Sequence, residues 1–157
     1  MGIVRNIISL GVIVMVSLSV YSQAAYYRER FRLENMLNGR DSLDLQSAVY
    51  AVENAYHNGN LNQYAFDKHI DMYAEFCKRI ILSGDIRYDG KGDERSAMAQ
   101  CAVFVFMTDT IPMQMGDTVV GHLPFEYNFD DYSGREDWSS MFVSRMMQTR
   151  RGNCHSM

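Results

Sequence analysis

The chain has 157 residues, 47% hydrophobic and 22% charged, with 10 tyrosines and 8 phenylalanines to fill a core. That is an ordinary globular balance at a length suited to one domain. A formal charge of −4 and a pI near 5.5 count against a nucleic-acid binder, whose footprint is a basic patch.

The first element in chain order reads as a targeting segment. Arg5 precedes residues 7–20 (IISLGVIVMVSLSV), an uncharged and mostly apolar run, and Ser22 and Ala24 then stand at the −3 and −1 positions of a small-residue cleavage site. A membrane-spanning helix needs about 20 apolar residues. Residues 1–24 are therefore expected to be a cleaved signal peptide, with a retained N-terminal anchor as the alternative. The expected location is periplasmic or secreted, with a membrane as partner only if the segment stays uncleaved. Export implies an oxidising compartment, where cysteines tend to pair. Of the three cysteines, Cys77 and Cys101 fall inside apolar helical patterns and read as buried structural thiols, a Cys77–Cys101 disulfide being the alternative. Cys154 is the odd one out.

After the signal, AYYRERFRLENMLNGR predicts a short charged helix ending near Asn38-Gly39. DSLDLQSAVYAVENAYHNG predicts a second, with Asp41 or Ser42 as N-cap and Asn58-Gly59 as the stop. Leu45, Ala48, Val49, Val52, Ala55 and Tyr56 recur at helical spacing as its apolar face, which puts Glu53 and Asn54 on the solvated side. Residues 64–83 repeat the pattern, with Phe66, Ile70, Tyr73, Cys77 and Ile80 as the stripe and Gly84 closing it. The two segments are expected to pack as an antiparallel pair across the turn at 58–62.

Residues 85–95 (DIRYDGKGDER) place Asp85, Asp89 and Gly90 at positions 1, 5 and 6 of a calcium-loop template. Arg87 at position 3 and Ser96 at position 12 spoil it, so the segment reads as a solvated loop. A zinc site from the three cysteines and a histidine lacks paired spacing. No metal or other cofactor is expected. Asp93 then caps SAMAQCAVFVFMTD, a buried helix, although residues 103–106 could pass for a strand. Met113, Met115 and Gly116 are placed in a loop around Pro112, and TVVGHLPFEYNFDDY is extended or irregular. A last helix, DWSSMFVSRMMQT, puts Trp138, Phe142 and Met146 on one face, and TRRGN breaks it. The expected class is mainly α.

The chemistry-bearing stretch is the last one. A helix, a basic turn with Gly152 and then Cys154 place the thiol where a new helix begins. Exposed N–H groups and the helix dipole favour a thiolate there, and the thiolate is the nucleophile. The Cys154 N–H suits an oxyanion, and Gly152, lacking a Cβ, suits the close approach of an acyl group.

Residues 137–157 resemble the N-terminal edge of the transglutaminase-like (papain-like cysteine) core. In that family a Trp-containing helix runs through a basic or polar turn into Gly-x-Cys and a long central helix. The matching residues are Trp138, the run Met146-Met147-Gln148-Thr149-Arg150, Gly152 and Cys154. AVYAVENAYHNGNLNQYAF and MTDTIPM also resemble the N-terminal region of exported bacterial members. The resemblance covers most of the chain after the signal, but its specific part is about twenty residues. It divides the chain into a signal at 1–24, an N-terminal helical region at 25–135 and the start of the core at 136–157. It implies a complete α+β papain/transglutaminase-like fold and acyl transfer by a Cys-His-Asp triad, with Cys154 attacking an amide of a protein or peptide substrate.

In the family the His and Asp follow on strands well after the nucleophile helix, so neither can be carried over onto a sequence ending at Met157. His155, one residue along a helix from Cys154, points about 100° away from it. His122 lies in an upstream loop without such a role and is expected to be a satisfied or solvent-exposed histidine; His57 and His69 have no ligand-spaced partner. Trp138 belongs either to the acyl-binding wall or to the core. Arg150 and Arg151 either meet an acidic substrate or an adjacent carboxylate, or form a solvated basic turn. The resemblance thus makes the chain the N-terminal part of an enzyme, without triad-dependent activity alone. The alternative is a secreted, all-helical structural or protein-interaction module with Cys154 a bystander.

Overall fold

The computed structural model describes residues 23–157, apart from 85 and 116, and this part of the chain is mainly helical. All but the last two positions of the expected signal segment lie outside the described residues, as does Asp85 of the loop weighed for calcium. Among the described residues no helix is long and apolar enough to cross a membrane. The chain divides into two compact units, Met1–Phe66 and Asp67–Met157.

The first unit contains α1 (residues 23–37), α2 (Leu45–Tyr56) and the first turn of α3 (Gln63–Ser83). An i,i+4 pair, Arg30 Nε to Glu34 at 2.7 Å, supports α1, and Gly39 at φ 67° follows its end as expected. The N-cap of α2 is Asp44 rather than Asp41 or Ser42. Its backbone is extended, and its carboxylate accepts the Ser47 N–H at 2.8 Å. The Ser47 hydroxyl and N–H hold that carboxyl below the usual Asp range.

The buried face of α2 is also not the one that apolar spacing selects. Tyr50, Ala51, Glu53 and Asn54 are buried, whereas Leu45, Val52 and Tyr56 are exposed. Hydrogen bonds decide the rotation. Asn54 Nδ2 donates to Glu29 Oε1 on α1 at 2.8 Å, and Asn54 Oδ1 accepts the Leu61 N–H at 3.1 Å. Tyr50 donates to the Leu61 carbonyl at 2.9 Å and meets the Phe66 ring edge-on. A buried carboxylate and amide must be paired, and pairing Glu29 with Asn54 turns Val52 and Tyr56 to the rim of a hollow of about 330 Å³. The helix stops at Asn58 and Gly59, both with positive φ; a Cβ at Gly59 would lie 3.0 Å from Arg28 Nη2 and 3.2 Å from Ala25 Cβ.

The second unit holds the rest of α3, then α4 (Glu94–Thr108), β1 (Ile111–Met115), β2 (Thr118–His122), β3 (Glu126–Tyr127), a 3-10 turn (Trp138–Met141), α5 (Val143–Thr149) and β4 (Arg151–Gly152). The stripe on α3 is as the spacing predicts: Ile80 is buried, and Ile70, Tyr73 and Cys77 are half-buried. Asp93 caps α4, accepting the Arg95 N–H at 3.1 Å, and residues 103–106 are helical. Because α4 buries Ala102 and Phe106, one turn apart, it faces Cys101 and Phe104 outward. Cys101 is thus exposed rather than a buried thiol, and all three cysteines are free.

Residues around Pro112 form not a loop but an antiparallel hairpin, β1 with β2, in the register Ile111↔His122 to Met115↔Thr118. A two-stranded sheet has only edge strands, the place where a proline such as Pro112 is tolerated. Beneath it, Phe106 contacts the rings of Tyr73, Phe76, Phe125 and His122. His122 lies flat on Phe106 with ring centroids 4.3 Å apart, and its Nε2 is 2.6 Å from the Phe106 carbonyl. It is a buried, hydrogen-bonded histidine.

The single last helix is two pieces. The 3-10 turn ends at Phe142, whose backbone is extended, and α5 starts afresh after it. Phe142 and Met146 are buried but Trp138 is 58% exposed, so the three do not share a buried face. Side-chain bonds impose the break. Asp137 caps the 3-10 turn through the Ser139 N–H and hydroxyl, and Arg145 of α5 bonds both Asp137 and Ser139.

Candidate functional site

The candidate site is the corner where α5, β4, the 3-10 turn and the last residues meet. α5 ends at Arg150 in the left-handed region, φ 59°, a conformation that costs a non-glycine residue about 1–2 kcal/mol. Three contacts offset that cost. The Arg150 N–H bonds the Met146 carbonyl at 2.7 Å, its Nη2 donates to the Pro124 carbonyl at 3.2 Å, and its guanidinium lies 5.7 Å from the Phe125 ring centroid. The chain then runs as β4, parallel to β3, in the register Glu126↔Arg151 and Tyr127↔Gly152. Arg151 extends to Asp130 at 3.1 Å. Both basic residues are thus engaged by the protein's own oxygens.

Gly152 is buried, and the space a Cβ would need belongs to the same chain. Such an atom would lie 2.7 Å from Ser156 Oγ, 2.9 Å from Met157 Cγ and 3.1 Å from Met146 Cγ. Gly152 therefore lets the final turn fold back on α5. Gly152→Ala is expected to destabilise the second unit by about 1–3 kcal/mol through overpacking. Urea unfolding checks this, and a change below about 0.5 kcal/mol would contradict the close fit.

Asn153 is 0% exposed and begins the final turn. Its carbonyl accepts the N–H groups of Ser156 at 3.2 Å and Met157 at 3.0 Å. Its side-chain oxygen accepts the His155 N–H at 3.0 Å, and Ser156 Oγ accepts the Asn153 N–H at 2.9 Å. Asn153 thus closes an Asx turn, and Ser156 bonds back to it across the single turn at 154–156. Cys154 occupies the first position after the cap and is exposed, as is His155. The Ser156 hydroxyl donates to the Ser140 carbonyl at 3.3 Å, tying the turn to the 3-10 segment that carries Trp138. That segment packs on β4 and α5, so the fold gathers the elements bearing Trp138, Gly152 and Cys154 into one corner.

Asp131 underlies the corner. Burial pushes its carboxyl pKa up, but the N–H groups of Asp137 and Glu136 and the Ser140 hydroxyl outweigh that and leave it below the usual Asp range. The Ser139 hydroxyl is the main cause holding Asp137 low as well, with Arg145 adding to it.

Sequence reasoning missed Asn153, Ser156, Ser140 and Asp131. The one local signal was Asn-x-x-Ser across Cys154, a weak form of the capping pattern. A hollow of about 640 Å³ in this unit is lined by Phe76, Ile80, Phe106, Ile111, Arg79 and Asp109 among others, and its described lining includes no cysteine. Among the described residues no group of three or more His, Cys, Asp or Glu could hold a metal ion. No protein-family model, curated protein or solved structure matches this chain.

Proposed function

We propose that this chain carries the nucleophile turn of an exported transglutaminase-like cysteine enzyme, within an α+β papain-like fold, and that Cys154 is the nucleophile. Its thiolate attacks the carbonyl carbon of an amide in a protein or peptide. The S–C bond forms, the C–N bond breaks, the departing nitrogen takes a proton, and a second amine or water resolves the thioester. The observation that carries this reading is the Asn153–Ser156 turn, which holds an exposed cysteine at its first position. Trp138, exposed in the adjoining segment, is available to cover an acyl group. His122 is committed to Phe106 and is not the base.

The test uses the nucleophile step only. Iodoacetamide at pH 7, followed by peptide mass spectrometry, should alkylate Cys154 about tenfold faster than Cys101, which is also exposed but lies within α4. Cys154→Ser should abolish the fast phase. Equal rates at the two thiols would overturn the assignment.

A further inference from the structure

Four buried polar residues of the second unit, Asp131, Ser140, Ser156 and Asn153, form one hydrogen-bonded line toward Cys154 through main-chain and side-chain groups. Asp131 accepts the N–H groups of Glu136 at 3.3 Å and Asp137 at 3.0 Å, and the Asp137 carbonyl accepts the Ser140 N–H at 2.9 Å. Ser140 offers its carbonyl to the Ser156 hydroxyl at 3.3 Å. Ser156 Oγ in turn accepts the Asn153 N–H, and Asn153 Oδ1 accepts the N–H of His155, just past the cysteine. All four residues are buried, and the two bonds at Ser156 are themselves buried, so water competes little for them.

The last member carries an independent anomaly. Asn153 Nδ2 is buried without an acceptor, and it is the one such side-chain atom among the described residues. A buried donor left unpaired is costly and calls for an explanation. The cap uses only the oxygen of this amide. The turn is tied to the rest of the unit by the bond from the Ser156 hydroxyl to the Ser140 carbonyl.

We infer that Asp131 is a positioning residue for Cys154: acting through Ser140 and Ser156, it fixes the Asn153 cap and thereby the direction in which the thiol leaves the fold. This rests on the proposal that Cys154 is the nucleophile. Asp131 touches no substrate in this scheme. It differs from a residue that merely stabilises the loop at 131–137, because its removal should change the cysteine without unfolding the unit.

Two measurements on the full chain separate the possibilities. Amide hydrogen exchange should show protection at Asn153 and His155 falling about tenfold in Asp131→Ala and in Ser156→Ala. Iodoacetamide alkylation of Cys154 should slow to the rate of Cys101 in both variants, with the Cys101 rate and the far-ultraviolet circular dichroism unchanged. Asp131→Asn, which keeps one acceptor oxygen, should restore the Cys154 rate to within about threefold of the parent. Unchanged protection at Asn153 and His155 would overturn the relay. Lost protection with an unchanged Cys154 rate would overturn the positioning role. If the parent protein alkylates Cys154 no faster than Cys101, the nucleophile proposal fails, and the exchange data still decide the relay. Should Asp131→Ala not fold, Ser156→Ala carries the same comparison.

Discussion

Asn54→Leu is expected to destabilise the first unit by about 3 kcal/mol or more, although it places a better helix former inside α2. On the spacing argument the same change is harmless, since Asn54 then faces water and leucine has the higher helix propensity. The structure reverses the sign. Asn54 is 2% exposed and connects three pieces of chain: its Nδ2 donates to Glu29 on α1, and its Oδ1 accepts the N–H of Leu61 beyond the turn. Leucine leaves the part-buried Leu61 N–H unpaired and deprives a buried carboxylate of a donor. Each such loss costs about 1–3 kcal/mol, and the Arg28 bond to the same Glu29 oxygen, itself on an exposed side chain, does not replace the missing one. The control is Val52→Ala. Val52 belongs to the apolar face picked out by spacing yet is 53% exposed, so its truncation should stay within about 0.5 kcal/mol. Urea unfolding of both variants discriminates: a neutral Asn54→Leu beside a costly Val52→Ala would restore the spacing assignment and refute the buried polar seam.

What was legible in the sequence was set by local chemistry. The stripe on α3, the Asp93 cap of α4, the stops at Gly39, Gly59 and Gly84 and the mainly helical class all depend on residues within a turn or two of each other. The failures share a different cause. Asn54 meets Glu29 across 25 positions, and that distant partner decided which side of α2 is inside. The last helix breaks at Phe142 because Asp137, Ser139 and Arg145 bond one another, which apolar spacing does not register. The β1–β2 hairpin did have a signal, Gly116-Asp117 between two short runs of Met, Val and Ile, but Pro112 and the methionines hid it. At the site, Cys154, Gly152 and Trp138 stood out by type and order. Asp131, Ser140 and Ser156 did not, because serines and an aspartate acquire meaning only from the tertiary bonds that bury them.

Phe106→Ala is the second large expectation, and it reaches the candidate site as well as the core. Phe106 is 2% exposed and central to a ring cluster: Tyr73 at 4.9 Å, Phe125 at 5.8 Å, Phe76 at 6.0 Å and His122 stacked at 4.3 Å. Removing a buried phenyl ring costs about 3–5 kcal/mol, the transfer term plus the cavity it leaves. Thermal unfolding of the second unit should therefore drop by about 15 °C or more. The consequence for the corner follows from Phe125. Its N–H bonds the Met107 carbonyl at 2.8 Å, its ring faces both Phe106 and the Arg150 guanidinium, and the next two residues are β3, on which β4 is registered. A cavity beneath Phe125 loosens the support for Arg150 in its left-handed conformation, and so for Gly152 and the turn that bears Cys154. The Asn128 N–H, bonded to the Gly152 carbonyl at 2.7 Å, reports on this pairing. Its hydrogen-exchange protection should fall in Phe106→Ala, whereas an equally destabilising cavity confined to the first unit should leave it unchanged. If thermal stability drops as expected while Asn128 protection holds, the cluster serves the core alone, and β3 keeps the register of the cysteine turn without it.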